Sequence, residues 1–524
     1  MEKKSNPYWL RWVLPSLADL IFVALLCALV FTSLSVKLLG DAGIGWHIRT
    51  GQQILHMHSI PRVDSFSSVV QGKPWFAWEW LYDVIVGFLD FACGLNGPVW
   101  FTAIVIAGVF AGMFRLVLNR GADLFAALIF VLLAMSASTI HFLVRPHVLS
   151  WLFTLVWFWI LDSTEQDSLW GRHLRDRKLW ILPVVMLVWV NMHGGFLLGF
   201  ALLSIYWLGA LWTWWRTNES RLEESLQKIA AGKRIRDLTL IGIASACTSL
   251  LNPYGWKLHA HIYRYLSNRF LMDHIDEFQS PNFHGVAQRC FLFLLLSVVG
   301  VLVVRGRDLR MSQGLTILLA VYAGLYASRN IPVASILFTM IAAPLFPGIR
   351  SFRGFTGRMA KVESGLRGHL WPLLAVVLTG ILAANDGQVG PKRLMNAHFD
   401  PNRMPVGAVL FMQDRHTKCP ILSPDYWGGY LIYRLYPHNS VVVDDRHDLY
   451  GERFLRSYLT MMHVEPGWED FLRSHGDCVL LPRKSALAAI VGKTPEWQSV
   501  YSDDVAVVFV PAERKTDSEP ELNH

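Results

Sequence analysis

The sequence predicts a polytopic α-helical membrane protein that ends in a small external α/β domain. Three observations carry this. Hydrophobic residues make up 53% of the chain and charged residues only 17%, with a mean hydropathy of +0.34, so much of the chain must face lipid rather than water. Apolar runs of helical length recur from the first residues to about Asn385. Beyond Asn385 the pattern changes to short strands and helices punctuated by turn residues.

Apolar candidates lie near residues 14–38, 78–94, 98–118, 122–141, 147–163, 179–192, 195–215, 238–252, 290–304, 314–328, 331–348 and 370–385. Basic clusters between them orient the chain: Lys3/Lys4/Arg11, Arg172/Arg175/Arg177/Lys178, Lys228/Lys233/Arg234/Arg236, Arg305/Arg307/Arg310 and Arg350/Arg353/Arg358/Lys361/Arg367 read as cytoplasmic. This distribution also accounts for the net charge of +8 without a nucleic-acid partner. The opening Met1-Glu2-Lys3-Lys4 resembles a signal peptide only at its charged end. The run that follows is too long for a signal core and has no clear cleavage site, so it reads as a retained span.

Counting 78–94 as a span would put Arg172–Lys178 outside. Its pattern removes it from the count. Trp78, Leu81, Tyr82, Ile85 and Leu89 share one helical face, while Glu79, Asp83, Val86 and Asp90 share another, acidic apart from the valine. That describes an amphipathic helix lying at the membrane surface. About eleven spans remain, with the N-terminus cytoplasmic and the C-terminus outside.

On this topology the outward loops collect polar groups: Asp41, His47, Arg49, Asp64, Glu79 and Asp83 in the first loop; Arg145-Pro146-His147; Asn191-Met192-His193-Gly194-Gly195; Asn252-Pro253-Tyr254 with His259, His261 and Arg264; and Ser328-Arg329-Asn330. Any one of them alone reads as a snorkelling or helix-capping residue. Their accumulation on one side, opposite the Lys/Arg-rich side, points to a shared polar cavity.

In the region 386–512, Pro420–Ser423, Ser440–Asp445 and Cys478–Leu481 read as strands, Phe454–Met462 and Trp468–Ser474 as helices, and Val500–Val510 as a hairpin turning at Asp503-Asp504. Strand–helix–strand alternation implies a parallel core with Asp425 and Asp444/Asp445 at strand ends. Residues 513–524 read as a polar, disordered tail. Cys419 and Cys478 each precede a predicted strand, so a disulfide between them is one of two open readings. No zinc-protease, phosphate-loop or nucleophile-elbow pattern is present.

The first loop (39–97, within a transmembrane region 1–385) has an acidic residue directly after the first span. A His/Arg-bearing helix, Pro61-Arg62-Val63-Asp64-Ser65-Phe66 and an amphipathic helix follow. This layout resembles the first external loop of GT-C glycosyltransferases, most of all the protein O-mannosyl and aminoarabinose transferase branch. The whole chain looks like a bacterial GT-C-like group carrying a C-terminal external domain.

The resemblance implies a multi-pass enzyme of the bacterial inner membrane with a periplasmic C-terminal domain. It would transfer a sugar from a polyprenyl-phosphate carrier to a glycan, lipid or protein acceptor. It puts Asp41 at the catalytic first-loop position and Glu79 near a second acidic one. Where those transferases carry Arg followed by Asp, this chain has Arg145 followed by Pro146-His147, so a histidine replaces the carboxylate. Ser423–Tyr430 resembles the Trp-Trp-Asp-Tyr-Gly element of oligosaccharyltransferases with a different residue order.

By this chemistry Asp41 would be the general base or an acceptor-orienting carboxylate, and Arg145 and Arg329 would form a phosphate clamp. His47, Arg49, His147 and His193 are further candidates for substrate or phosphate binding. Asp41 and Glu79 are candidate ligands for a divalent cation: Mg²⁺ or Mn²⁺ by carboxylate chemistry, or Zn²⁺ if histidines join. Two other classes remain: a flippase or transporter of a lipid-linked saccharide, and a non-catalytic membrane assembly protein.

Overall fold

The computed structural model describes residues 10–169, 173–218, 221–346, 353–366 and 368–512. The tail 513–524, expected to be disordered, lies outside the described residues, as do Lys3, Lys4, Arg172, Arg350 and Arg367 of the basic clusters. The chain forms two compact units. One comprises Met1–Leu38 and Ala77–His398, the other Leu39–Phe76 and Phe399–His524.

The first unit is helical. Each of the eleven apolar segments retained as spans coincides with a helix: Leu17–Phe31, Asn96–Asn119, Leu124–Ser138, His147–Leu169, Ile181–Val190, Leu197–Arg216, Leu222–Ser249, Val286–Arg305, Met311–Tyr326, Ile331–Leu345 and Leu370–Ala384. Among the described residues, five helical segments are long and apolar enough to cross a membrane by length and composition, and three more are apolar but shorter. Their ends are set by local chemistry. Ser16 and Asp19 form a capping box that opens the first of them, and the Asp123 carboxylate caps Leu124–Ser138.

Charges inside this unit are paired. The Asp162 carboxylate accepts bonds from Arg120, from Arg310 (2.6 Å), from the Tyr206 hydroxyl (2.8 Å) and from Gln313 (3.1 Å). Glu165 accepts from Ser312 and pairs with Arg310. These interior charges are thus held in a network of hydrogen bonds between helices. A buried ion is tolerable only in such company.

The segment 78–94 forms the helix Trp80–Cys93, and part of its acidic face is enclosed by the unit. Tyr82, Asp83, Val86 and Gly87 are buried, while Phe88 and Phe91 are 56% and 83% exposed. The carboxylate face turns inward because arginine and histidine side chains of the same unit meet it there.

The second unit joins the first loop to the tail region. Its sheet runs Ile421–Leu422, Cys478–Pro482, Ala506–Pro511, Trp497–Ser502. Only the first pair is parallel; the other two are antiparallel, so the expected parallel core is a mixed sheet. The expected strand Ser440–Asp445 is reduced to isolated bridges from Val441 to Ile421 and to Ser67. Val441 bonds the first loop, its N–H donating to the Phe66 carbonyl (3.1 Å) and its carbonyl accepting from Ser68 N–H (2.9 Å), while on the sheet side Ile421 N–H donates to the Ser440 carbonyl and Val442 N–H to the Ile421 carbonyl (2.9 Å each). Cys419 and Cys478 are joined by a disulfide, with Cα atoms 6.0 Å apart.

Two helices of this unit touch backbone to backbone. A Cβ on Gly45, in helix Ile44–Met57, would lie 2.1 Å from the Gly429 carbonyl oxygen in helix Asp425–Leu435. Only glycine permits that approach. Beside it lies Arg446, 4% exposed. Its guanidinium donates to Asp444 through Nε (2.9 Å) and Nη2 (2.6 Å) and to Asp64 Oδ1 through Nη1 (2.6 Å). The rings of Trp75, Phe66 and Trp46 surround it at 4.8, 5.2 and 5.8 Å. Burial opposes the ion pair, but Arg446 outweighs it and holds the Asp444 carboxyl below its ordinary value.

Replacing Arg446 by Met is expected to cost about 3–5 kcal/mol, because two buried carboxylates lose their cation. Thermal unfolding together with proteolysis in residues 58–73 measures this, and an unchanged melting temperature would contradict it. Because the Asp444 pKa is depressed, its contribution is present above 3.8 and lost as pH falls through the lower folded value.

Candidate functional site

The structure divides the residues singled out in the sequence. Asp41, His47 and Arg49 belong to the second unit; Glu79, Arg145, His147, His193 and Arg329 belong to the first.

In the second unit, Asp41 Oδ1 accepts the Gly43 N–H at 2.8 Å, a local bond at the entry of helix Ile44–Met57. His47 is fully buried and stacks on Trp46, with centroids 3.6 Å apart. The Arg49 guanidinium donates to the Tyr433 carbonyl (Nε, 2.9 Å) and to Gln52 (2.9 Å), and lies 5.4 Å from the Tyr433 ring centroid. His47 and Arg49 thus act in packing the unit: one is enclosed, and the other is tied to a carbonyl of the tail.

In the first unit the loop ends build a polar cluster. Trp80 Nε1 donates to Asn191 Oδ1 (2.7 Å), and Leu81 N–H donates to the Asn191 carbonyl (3.2 Å). These two bonds fasten the start of the amphipathic helix to the loop 191–195. They bring His193 Nε2 to 3.8 Å from Glu79 Oε1. On its other side the His193 ring has Nδ1 2.8 Å from Ser150 Oγ. Arg145, which precedes helix His147–Leu169, and His147 at its start join the cluster; His147 Nε2 lies 3.0 Å from the His141 carbonyl.

Arg329 is held through its neighbour Ser328, whose N–H donates to the Gln279 carbonyl (2.9 Å) and whose hydroxyl donates to the Glu277 carbonyl (3.1 Å). The Arg329 guanidinium lies 4.6 Å from the Phe278 ring centroid.

The electrostatics follow from this crowding. Burial pushes the Asp83 carboxyl well above its ordinary range, the neighbouring Glu79 carboxylate adds to that, and Arg145 only partly offsets it. Burial, then Arg329, His147 and Arg145, keep the His193 ring neutral by lowering its pKa well below the usual value. Burial would raise Glu277, but Arg329 first and then Arg145, His141 and His147 hold it at about 2. Carboxyls pushed in opposite directions within one cluster are what acid–base work at a fixed pH requires.

Glu277, His141 and Ser150 were not identified in the sequence. Glu277 sits in a stretch with no apolar period and no motif, and Ser150 is one small polar residue in an apolar helix. Among the described residues, no group of three or more His, Cys, Asp or Glu side chains is arranged to hold a metal ion. Asp41 and Glu79, the carboxylates expected to hold a cation, belong to different units.

Neither a family model nor a curated protein matches the chain. Among solved structures it resembles the oligosaccharyltransferase of Archaeoglobus fulgidus tethered with an acceptor peptide containing the NVT sequon via a disulfide bond. That match has a TM-score of 0.54 and 13% identity, and covers 95% of this chain and 74% of that one. The apo form of the same enzyme gives 0.53 and 11%, covering 98% and 75%. ArnT from Cupriavidus metallidurans bound to undecaprenyl phosphate gives 0.46 and 14%, covering 94% and 97%. The two oligosaccharyltransferase likenesses run over nearly the whole chain and show that it shares the fold of that enzyme.

The raised Asp83 pKa has a stability signature. A protonated, buried Asp83 supports folding fully below 3.8, and that support is lost as pH rises through the raised folded value. Asp83→Asn mimics the neutral acid. Wild type should therefore lose stability relative to Asp83→Asn as pH rises, measured by thermal unfolding between about pH 4 and pH 9. Parallel curves for the two proteins would contradict the assignment.

Proposed function

We propose that this protein is a GT-C glycosyltransferase that moves a sugar from a polyprenyl-phosphate carrier to an acceptor on the outer face of the membrane. The observation that carries the proposal is the cluster of Glu79, Arg145, His193, Glu277 and Arg329 in the helical unit of a chain with the oligosaccharyltransferase fold. Two guanidiniums among loops at the ends of apolar helices suit a phosphate that arrives on a lipid.

In the reaction, an acceptor oxygen or nitrogen bonds to the anomeric carbon, and the bond from that carbon to the carrier phosphate breaks. The acceptor's proton passes to a carboxylate, and the electron pair leaves on the phosphate, whose growing charge Arg145 and Arg329 would stabilise. Asp41 is the proposed base. It stands three residues beyond helix Leu34–Leu38 in the chain, and its Oδ1 is an acceptor that Asn would reproduce. Glu79 is the proposed second carboxylate, orienting the acceptor. No step is assigned to a metal, because the donor's charge is met by guanidiniums. The acceptor is a glycan, lipid or protein. The altered residue order in Ser423–Tyr430 does not carry over the sequon peptide seen with the archaeal enzyme.

The reading includes about eleven spans, a cytoplasmic N-terminus and an external tail region. In a background without Cys27, Cys93, Cys247 and Cys290, a cysteine at Gln71 should react with an external thiol reagent and one at Gln227 should not. External labelling at Gln227 would reverse the orientation.

Transfer from a pool of labelled undecaprenyl-phosphate hexoses to envelope acceptors tests the chemistry. Asp41→Asn should keep stability within about 0.5 kcal/mol and lose transfer roughly a hundredfold or more. Arg145→Lys and Arg329→Lys should each weaken undecaprenyl-phosphate binding, since lysine lacks the planar fork. Full transfer in a stable Asp41→Asn protein would leave a transport or assembly role ahead.

A further inference from the structure

The hydrogen bonds behind Glu79 have a fixed direction. Trp189 Nε1 lies 2.7 Å from Ser150 Oγ, and an indole nitrogen can only donate. Ser150 Oγ therefore accepts from Trp189, which leaves its single proton for His193 Nδ1, 2.8 Å away. The Gly195 backbone N–H, also donor-only, points to the same Nδ1 at 3.1 Å. A ring nitrogen receiving two donors carries no proton, so the proton of the neutral ring sits on Nε2, facing Glu79 Oε1 at 3.8 Å. Distances of this size are common in unliganded sites and shorten when substrate binds.

We propose that Trp189, Ser150 and Gly195 are positioning residues that hold His193 in its Nε2–H tautomer, so that its N–H is always presented to Glu79. The inference rests on the reading of Glu79 as a carboxylate that orients the acceptor. The chain then keeps that carboxylate's Oε1 engaged by a donor and its plane fixed.

Gly195 gives independent geometric support. A Cβ there would lie 2.6 Å from Ser150 Oγ and 2.8 Å from His193 Nδ1, so any side chain would enter the bond between them. Ser150 itself is 5% exposed, which suits a relay and not a nucleophile. The charged and titratable groups around the ring are Glu79, Arg145, His147 and Arg329, whereas the bonds at Nδ1 come from Ser150 and Gly195, which set the tautomer.

Nitrogen-15 NMR of the full chain in nanodiscs, with labelled histidine and His193 assigned by its loss in His193→Gln, reads the tautomer directly. Wild type should show an unprotonated Nδ1 and a protonated Nε2. Ser150→Ala and Gly195→Ala should each shift the signals toward a mixture of tautomers, and Ser150→Thr, which keeps the hydroxyl, should restore the wild-type pattern. Undecaprenyl phosphate binding is measured on the same samples and should change by less than about twofold, because Arg145 and Arg329 are untouched. A wild-type His193 pattern in both Ser150→Ala and Gly195→Ala overturns the proposal even if the lipid phosphate binds. The expected tautomer changes in a protein that does not bind undecaprenyl phosphate support the lock and count against the glycosyltransfer reading alone.

Discussion

Arg446 is a full positive charge removed from water, and it can be there only because Asp64 and Asp444 are there with it. Asp64 lies in the first loop and Asp444 in the tail, 382 residues from Asp64 to Arg446 in sequence. Neither segment contains a complete solution to the burial problem. Desolvating a guanidinium costs several kcal/mol unless its donors are met by paired acceptors, so the segments fold as one unit or the charge stays exposed. The other features of that unit accompany it: three aromatic rings close over the cation, Val441 bonds the loop while its neighbours Ser440 and Val442 bond Ile421, and Gly45 and Gly429 let two helices meet without side chains. Asp41 enters helix Ile44–Met57 inside this framework.

The helical unit contains two groups of charges on helix His147–Leu169, and they differ in kind. Asp162 lies 15 residues beyond His147 in sequence, about 22 Å along the axis. Its carboxylate is met by two arginines, a tyrosine and a glutamine. Such a set is chemically quiet and ties helices together. At the other end carboxyls are driven apart in acidity, with Asp83 up and Glu277 down, and a histidine is kept neutral. At Asp83 burial and the neighbouring Glu79 carboxylate are only partly offset by Arg145, and carboxyls set apart in this way suit a reacting site.

The candidate cluster and the oligosaccharyltransferase-like fold are separate observations. Low identity leaves the fold likeness silent on individual residues. The cluster names residues whose acidity the surrounding charges alter, and it has its own internal logic. Asn191 fixes the loop, the loop carries His193, and His193 meets Glu79.

Hydropathy and helical period determined the helices. Each retained apolar segment became one, because a helix satisfies the backbone N–H and C=O groups of an apolar run within the run itself. The sequence also pointed to the amphipathic nature of 78–94, the hairpin, the neighbouring cysteines, and the set Glu79, Arg145, His147, His193 and Arg329 as outward-loop polar residues. Only the tertiary structure decided which face of Trp80–Cys93 is buried, since a helical wheel shows that two faces differ but not which charges await them. It also decided that Arg49 serves a carbonyl, that Ser440–Asp445 pairs only at Val441, and that Glu277 belongs with Arg329. In each of these the deciding partner lies far away in sequence, and no local period encodes a distant carboxylate or carbonyl. Asp64 shows the limit most plainly: as a lone acid in a polar loop it looked like its neighbours, and its role exists only once Arg446 is beside it.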